Sequence, residues 1–275
     1  MKENRTLIGG LVIAAIGVIV IGVIWYFVLR TPEEASEPIE AIPLELPTET
    51  ATAVPEPTDE PTEIPPTQTI APEATTEATA TTELPTATPE PTADPGVLLV
   101  YEISQDESEV RFLIDEELRG SPNLVVGVTN QVAGQIAANL QELSTTQVGV
   151  IQVNARTFLT DNDFRNNAIR NRILNTDQYE FVTFTPTAVN GLPDSTTIGE
   201  ELTFEIVGDL TVRDVTQPVT FVVTATAVSE TRLEASATAE ILRADYNLTI
   251  PQVPGVANVA ENIILEFDLV ANAVQ

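Results

Sequence analysis

The sequence contains no cysteine and no histidine among its 275 residues. Without cysteine there can be no disulfide, thiolate nucleophile, iron–sulfur cluster or thiolate-bound zinc. The lipid-modified cysteine of a bacterial lipoprotein is excluded as well. Without histidine the chain lacks the commonest general base and the commonest transition-metal ligand. Positive charge is scarce: 12 Lys and Arg stand against 41 Asp and Glu, a formal net charge of −29. Nucleic-acid binders present basic surfaces, so this balance argues against such a partner. No G-x-S-x-G segment is present to seat a serine nucleophile. Carboxylates do cluster, at Asp115-Glu116-Glu117 and Glu200-Glu201. Neighbours on a strand point to opposite faces, so these runs do not supply the facing pair of a glycosidase. They read as solvated loops or edges. No EF-hand loop occurs either. The expectation is a protein that is not an enzyme, with no catalytic residue, metal or cofactor.

What is present falls into three stretches. Residues 7–29 are apolar or glycine throughout, follow Lys2 and Arg5, and end in Trp25-Tyr26-Phe27. As a helix the run spans about 35 Å, enough for a bilayer core. It is too long for a cleaved export signal. Its closing aromatics suit the membrane–water interface, and the basic residues before it keep the N-terminus cytoplasmic. Residues 1–30 are therefore expected to be a single-pass transmembrane anchor, with the rest of the chain extracytoplasmic. Residues 31–96 are rich in Pro, Thr, Glu and Ala and contain no Lys or Arg. Such a segment buries too little apolar surface to offset its ordering entropy. It is expected to be a disordered, locally polyproline-like spacer reaching at most about 200 Å.

From residue 97 a period of two sets in. Leu202, Phe204, Ile206, Leu210 and Val212 alternate with polar residues, as do Val219, Phe221 and Val223. The pattern recurs in Val110, Phe112 and Ile114, in residues 181–189, in Leu233 to Ile241, and in Ile263 to Leu269. Several strands with one wet and one buried face argue for an antiparallel sandwich or barrel. Asp214 is expected at a chain reversal, because Asp tolerates left-handed backbone. Pro218, lacking an N–H, is expected to open the following strand. A single helix is expected between about residues 161 and 174, capped by Thr160 or Asp161, with Phe164/Ala168 and Ile169/Ile173 as i,i+4 pairs. Its apolar stripe is untidy, which suits packing across one end of the fold.

Two segments carry a family resemblance. Gly208-Asp209-Leu210-Thr211-Val212-Arg213-Asp214-Val215-Thr216-Gln217-Pro218-Val219 resembles the G-D-L-T-x-x-G-V-T-x-P-V segment of the YceI-like family, with Asp214 in place of the turn glycine. Upstream, residues 173–184 resemble the family's short helix, Tyr-Pro and strand ending in Thr-Phe, with Glu180 in place of the proline. The resemblance covers residues 97–275. It implies an all-β, antiparallel, lipocalin-like β-barrel with a short helix across one end, holding an isoprenoid-type lipid.

Small residues on one face leave room for such a ligand. Ala235, Ala237 and Ala239 share a face, as do Ala225 and Ala227. In a barrel the space becomes a cavity, whereas in a sandwich the opposite sheet fills it. The expected apolar lining is Phe112, Ile114, Phe204, Ile206, Leu210, Val219, Phe221, Ala235, Ala237, Ala239, Leu265 and Phe267. Arg165, Arg170 and Arg172 lie close together in the helix and are candidates for an anionic headgroup, since guanidinium forks bind phosphate. Ion pairs with the acidic surface are the plainer role for them. The leading expectation is a membrane-tethered, extracytoplasmic protein that binds a polyprenyl phosphate or quinone. The alternative is a structural or adhesive β domain recognising a protein or glycan.

Overall fold

The computed structural model describes residues 33–36, 38–46 and 96–274. The expected membrane anchor lies outside them. Among the described residues no helix is long and apolar enough to cross a membrane.

The strands are β1 (Leu99–Ile103), β2 (Glu109–Leu118), β3 (Ser121–Thr129), β4 (Val132–Ala133), β5 (Gln135–Ala138), β6 (Gln147–Val148), β7 (Ile151–Asn154), β8 (Phe181–Asn190), β9 (Glu201–Val212), β10 (Val215–Ser229), β11 (Arg232–Leu242), β12 (Val256–Ala257) and β13 (Asn262–Ala273). All their pairings are antiparallel, and they run round in a ring. β7 pairs with β8, β8 with β9, β9 with β10, β10 with β11 and β11 with β13. β13 then pairs with β1 over one part of its length and with β2 over another, so β1 and β2 act as one bent strand. β3, β4 and β5 form a second bent strand. It pairs back to β2 and β1 on one side and, through β4, to β7 on the other. That last pairing, two residues long, curls the sheet round towards itself into a half-barrel.

The alternation places the apolar set inside. Leu210, Val212, Val219, Phe221, Val223, Ala239, Ile241 and Phe267 are buried, while Glu201, Thr203 and Glu205 of β9 face water. Gly134 lets the second bent strand turn. A Cβ there would stand 2.5 Å from Ile151 Cδ1.

Several local features depart from expectation. The helix α1 (Asp163–Ala168) is short, and Asn162 caps it by accepting a hydrogen bond from the Arg165 N–H. It continues as a π-helical turn, Ile169–Ile173, closed by the Leu174 N–H on the Ile169 carbonyl. Phe164 does not pack: it is 87% exposed. At the β9–β10 hairpin the left-handed residue is Arg213 (φ 59°), not Asp214. Its side chain crosses to the π-helical turn, where Nη1 donates to the Ile173 carbonyl at 3.2 Å and the guanidinium lies 6.0 Å from the Tyr179 ring. Pro218 does not open β10, which begins at Val215. It is tolerated inside the strand because β11 pairs with β10 only from Val222 onward, leaving no partner for the missing N–H.

The described residues 33–36 and 38–46 carry neither helix nor strand, and several of them are bonded to the barrel. The Ser36 N–H and hydroxyl donate to Glu180 at 2.8 and 2.7 Å. Arg156, whose side chain is only 10% exposed, pairs with Glu33 at 2.9 Å and Glu180 at 3.0 Å and donates to the Glu34 carbonyl. Ile39 is buried, and the Leu44 N–H donates to Gln135 Oε1. The reason is a buried guanidinium on the barrel wall that needs acceptors, which the first acidic residues supply. Gly96, where the described chain resumes, accepts from Asn139. Gln135 and Asn139 are about 13 Å apart along an extended strand. Leu44 and Gly96 are thus both held beside β5.

Candidate ligand cavity

The barrel interior holds two apolar chambers, one toward each end. The first, of about 150 Å³, owes its space to the alanines. Register sets Ala225 of β10 against Ala235 of β11, and Ala237 against Phe267 of β13. Ala225, Ala227, Ala235 and Ala237 thus form one receding wall. Phe204, Ile206, Phe221 and Val223 face into the same space, and Leu140, Leu143 and Leu192 come from the loops at that end. Among the described residues the polar ones lining this alanine chamber are Thr146, Thr196 and Thr226. The Thr146 hydroxyl is buried without a hydrogen-bond partner among the described residues.

The second chamber, of about 170 Å³, lies beneath the π-helical turn. Ile169, Ile173 and Leu174 cover it, and Phe112, Ile114, Val125, Phe158, Leu210 and Leu265 form its walls. Phe112 stands over Gly127 of the neighbouring strand, where a Cβ would come within 2.1 Å of the ring. It meets Phe158 edge-on at 5.3 Å. This helix chamber carries charge at its margin, all of it paired. Glu116 accepts from Arg165 at 2.9 Å and from Asn123 at 3.0 Å. Arg165 also pairs with Asp161. Arg243 pairs with Glu261 and donates to the carbonyls of Leu248 and Ala260.

Between the chambers three rings pack edge to face. The centroid of Phe221 lies 4.9 Å from that of Phe184 and 5.3 Å from that of Phe267. Such contacts stabilise by about 0.5–1.5 kcal/mol each beyond their burial. Phe184 reaches inward over Gly208 of β9, where a Cβ would stand 2.7 Å from its Cζ.

Of the residues expected to line a cavity, Phe204, Ile206, Phe221, Ala235 and Ala237 border the alanine chamber. Phe112, Ile114, Leu210 and Leu265 border the helix chamber, and Phe267 borders both. Val219 and Ala239 are buried in the core and line neither. The three arginines do not converge. Arg165 reaches the helix chamber, Arg172 is exposed, and the Nε of Arg170 is buried without a hydrogen-bond partner among the described residues. Sequence reasoning missed the loop contributions of Leu140, Leu143, Leu192, Leu248 and Ile250, because loops carry no periodicity to reveal an inward side chain.

The sequence matches the model of the YceI-like domain over residues 101–271. The chain belongs to the YceI-like family. Two solved structures share its fold. One is a polyisoprenoid binding domain from Saccharophagus degradans implicated in plant cell wall breakdown. It is 17% identical with a TM-score of 0.51, and the match covers 64% of this chain and 99% of that one. The other is BcnA of Burkholderia cenocepacia, 16% identical with a TM-score of 0.50, covering 62% and 99%. At these identities the likeness is one of fold. No curated protein matches the chain. The two segments that resemble the YceI-like family meet inside the barrel. Phe184 closes one of them, Gly208 opens the other, and the ring of the first occupies the space that the second leaves empty.

Proposed function

We propose that this YceI-like barrel is a membrane-tethered, extracytoplasmic binding domain for an isoprenoid-type lipid. The observation that carries the reading is the alanine chamber, an almost wholly apolar space inside the curled sheet. Each CH₂ buried there contributes roughly 0.8 kcal/mol, so a prenyl chain binds without many polar contacts. The name of the Saccharophagus degradans domain, which binds a polyisoprenoid, supports the same class of ligand. A neutral head, such as a quinone or prenol, fits better than a phosphate. Arg165 and Arg243 are each already neutralised by carboxylates, and Glu116 would lie beside an incoming anion.

The docked segment 33–46 supports the tethering. The apolar run at residues 7–29 ends four residues before Glu33, so the barrel would be held against the bilayer that supplies the lipid. The test is extraction of the purified protein with organic solvent, followed by mass spectrometry and by binding of a panel of polyprenols and quinones. A co-purified or bound isoprenoid is expected. Protein that carries none and binds none of the panel would refute the reading. Replacing Arg170 and Arg172 with Gln should leave quinone binding within about twofold, because a neutral head makes no charge-assisted bond to either.

A further inference from the structure

We propose that the helix end of the barrel is a membrane-docking face, where Phe164 of α1 and Leu159 beside it enter the headgroup layer of the bilayer. The inference deepens the membrane-tethered reading and rests on it. Phe164 is 87% exposed and Leu159 56% exposed. Both are held in place from below. The Asn162 side chain caps α1 on the Arg165 N–H, and the Thr160 N–H and hydroxyl donate to Asn166 Oδ1 at 2.8 and 2.7 Å. Asn166 is buried, so this knot fixes the segment that carries both apolar residues. Val253, also exposed, follows Leu248 and Ile250 of the helix chamber in the same loop.

Exposure alone does not choose this face, because Ile198, near Thr196 of the alanine chamber, is 52% exposed as well. The path of the chain chooses it. The strap begins at the helix end, where the Glu33 N–H donates to Asp177 Oδ1 at 3.0 Å. Asp177 follows Thr176, whose N–H is bonded to the Arg170 carbonyl of the π-helical turn. The strap then runs away from that end. Ser36 meets Glu180, and Leu44 reaches Gln135, next to Ile136 of the alanine chamber. The chain before Glu33 therefore comes off the helix end. Only Arg30, Thr31 and Pro32 separate Glu33 from the apolar run at residues 7–29. That is a reach of about 14 Å when fully extended, so a bilayer spanned by the run lies within that distance of the helix end. A tether this short presents the surface at an effective concentration of about millimolar, and insertion of one or two apolar side chains then suffices. The contact is apolar and not ionic. Arg165 and Arg243 at this end are paired with carboxylates, and the whole chain carries a formal net charge of −29. A zwitterionic headgroup layer, which does not repel that charge, is the surface the face fits.

The experiment uses the full chain in phosphatidylcholine nanodiscs. The sequence has no cysteine, so a single introduced one carries the only nitroxide label. Asn167→Cys, exposed on α1, reads the helix end, Ile198→Cys reads the other end, and Ala15→Cys reads the apolar run. Collision of each label with oxygen, which concentrates in the bilayer, and with a water-soluble nickel chelate gives its depth. The Asn167→Cys label is expected at the headgroup layer, the Ile198→Cys label in water and the Ala15→Cys label in the bilayer core. Adding Phe164→Ser to the Asn167→Cys chain should lower the ratio of docked to free barrel about tenfold, the loss of one buried aromatic. Phe164 is exposed, so this change leaves the core intact. An Asn167→Cys label as wet as the Ile198→Cys label, with the Ala15→Cys label in the core, would overturn the docking face and leave the tether standing. So would an Ile198→Cys label at the headgroup layer, or an Asn167→Cys label indifferent to Phe164→Ser. An Ala15→Cys label in water refutes the tethering itself, and the docking face falls with it.

Discussion

Two buried tyrosines differ in what their hydroxyls meet. The Tyr101 hydroxyl donates to the Glu230 carbonyl at 2.8 Å, whereas the Tyr246 hydroxyl is buried with no partner among the described residues. Tyr101→Phe should therefore cost about 1 kcal/mol in urea unfolding, and Tyr246→Phe should cost nothing or stabilise. They also set an alkaline limit. Burial first, then the charge of Asp245, pushes the Tyr246 phenol up from 10.0 to about 12. The folded state thus holds this proton more tightly than the unfolded chain. The contribution is complete below about pH 10 and is lost as pH rises toward 12. In Tyr246→Phe that part of the alkaline decline should disappear from a stability-versus-pH curve. Gly208 tests the opposite kind of constraint. Besides the Phe184 ring, a Cβ there would stand 2.5 Å from the Thr185 carbonyl oxygen. Gly208→Ala should destabilise by about 1–3 kcal/mol, the usual cost of overpacking. A melting temperature equal to wild type would show that the ring and strand yield freely.

At the scale of elements, the docked segment behaves as a strap fastened mainly at Glu180. Burial works to raise that carboxyl. The Ser36 N–H and hydroxyl, Asn154 and the Arg156 charge outweigh it and hold the group below its ordinary 4.5. A lowered carboxyl contributes stability above its unfolded value and loses it as pH falls through the folded one. The strap should therefore stay closed at neutral pH and loosen below about pH 4.5. Amide exchange at Ser36 and Leu44 should speed up there relative to the β9–β10 ladder. In Glu180→Gln the same amides should exchange faster already at pH 7. Exchange that matches wild type in that variant would mean that Ile39 and Gln135 hold the strap unaided.

For the whole molecule, the strap ties the start of the acidic stretch to the barrel. Leu44 and Gly96, on either side of the acidic stretch, are both held near β5. Closing a loop costs entropy that grows slowly with its length. Replacing residues 47–94 with about six Gly and Ser residues should stabilise the barrel by about 2 kcal/mol, at ~0.6 kcal/mol per halving. The chemical denaturation midpoint would show it. An unchanged or lower midpoint would mean that the long stretch contributes contacts of its own. With 41 acidic residues against 12 basic ones, the same molecule should also gain stability as salt screens its self-repulsion.

The period-two runs by themselves determined which residues of β2, β8 to β11 and β13 face inward, because a strand with one wet face has only one way to bury its apolar set. The alanines at 225, 227, 235 and 237 already marked where a wall would recede. What they faced was open until β10 and β11 were set in register and the sheet curled round to bring β4 against β7. A sandwich would have filled the same gap. The division of the interior was decided only by tertiary structure. Phe184, Phe221 and Phe267 are far apart in sequence, and each reads as one more apolar residue of an alternating strand. The placement of the arginines was decided there too, because a π-helical turn carries Arg170 and Arg172 away from the chamber that Arg165 reaches. The strap was illegible for a related reason. Composition reports that residues 33–46 cannot fold alone, but not that a buried Arg156 on the barrel supplies the partner their acidic groups require.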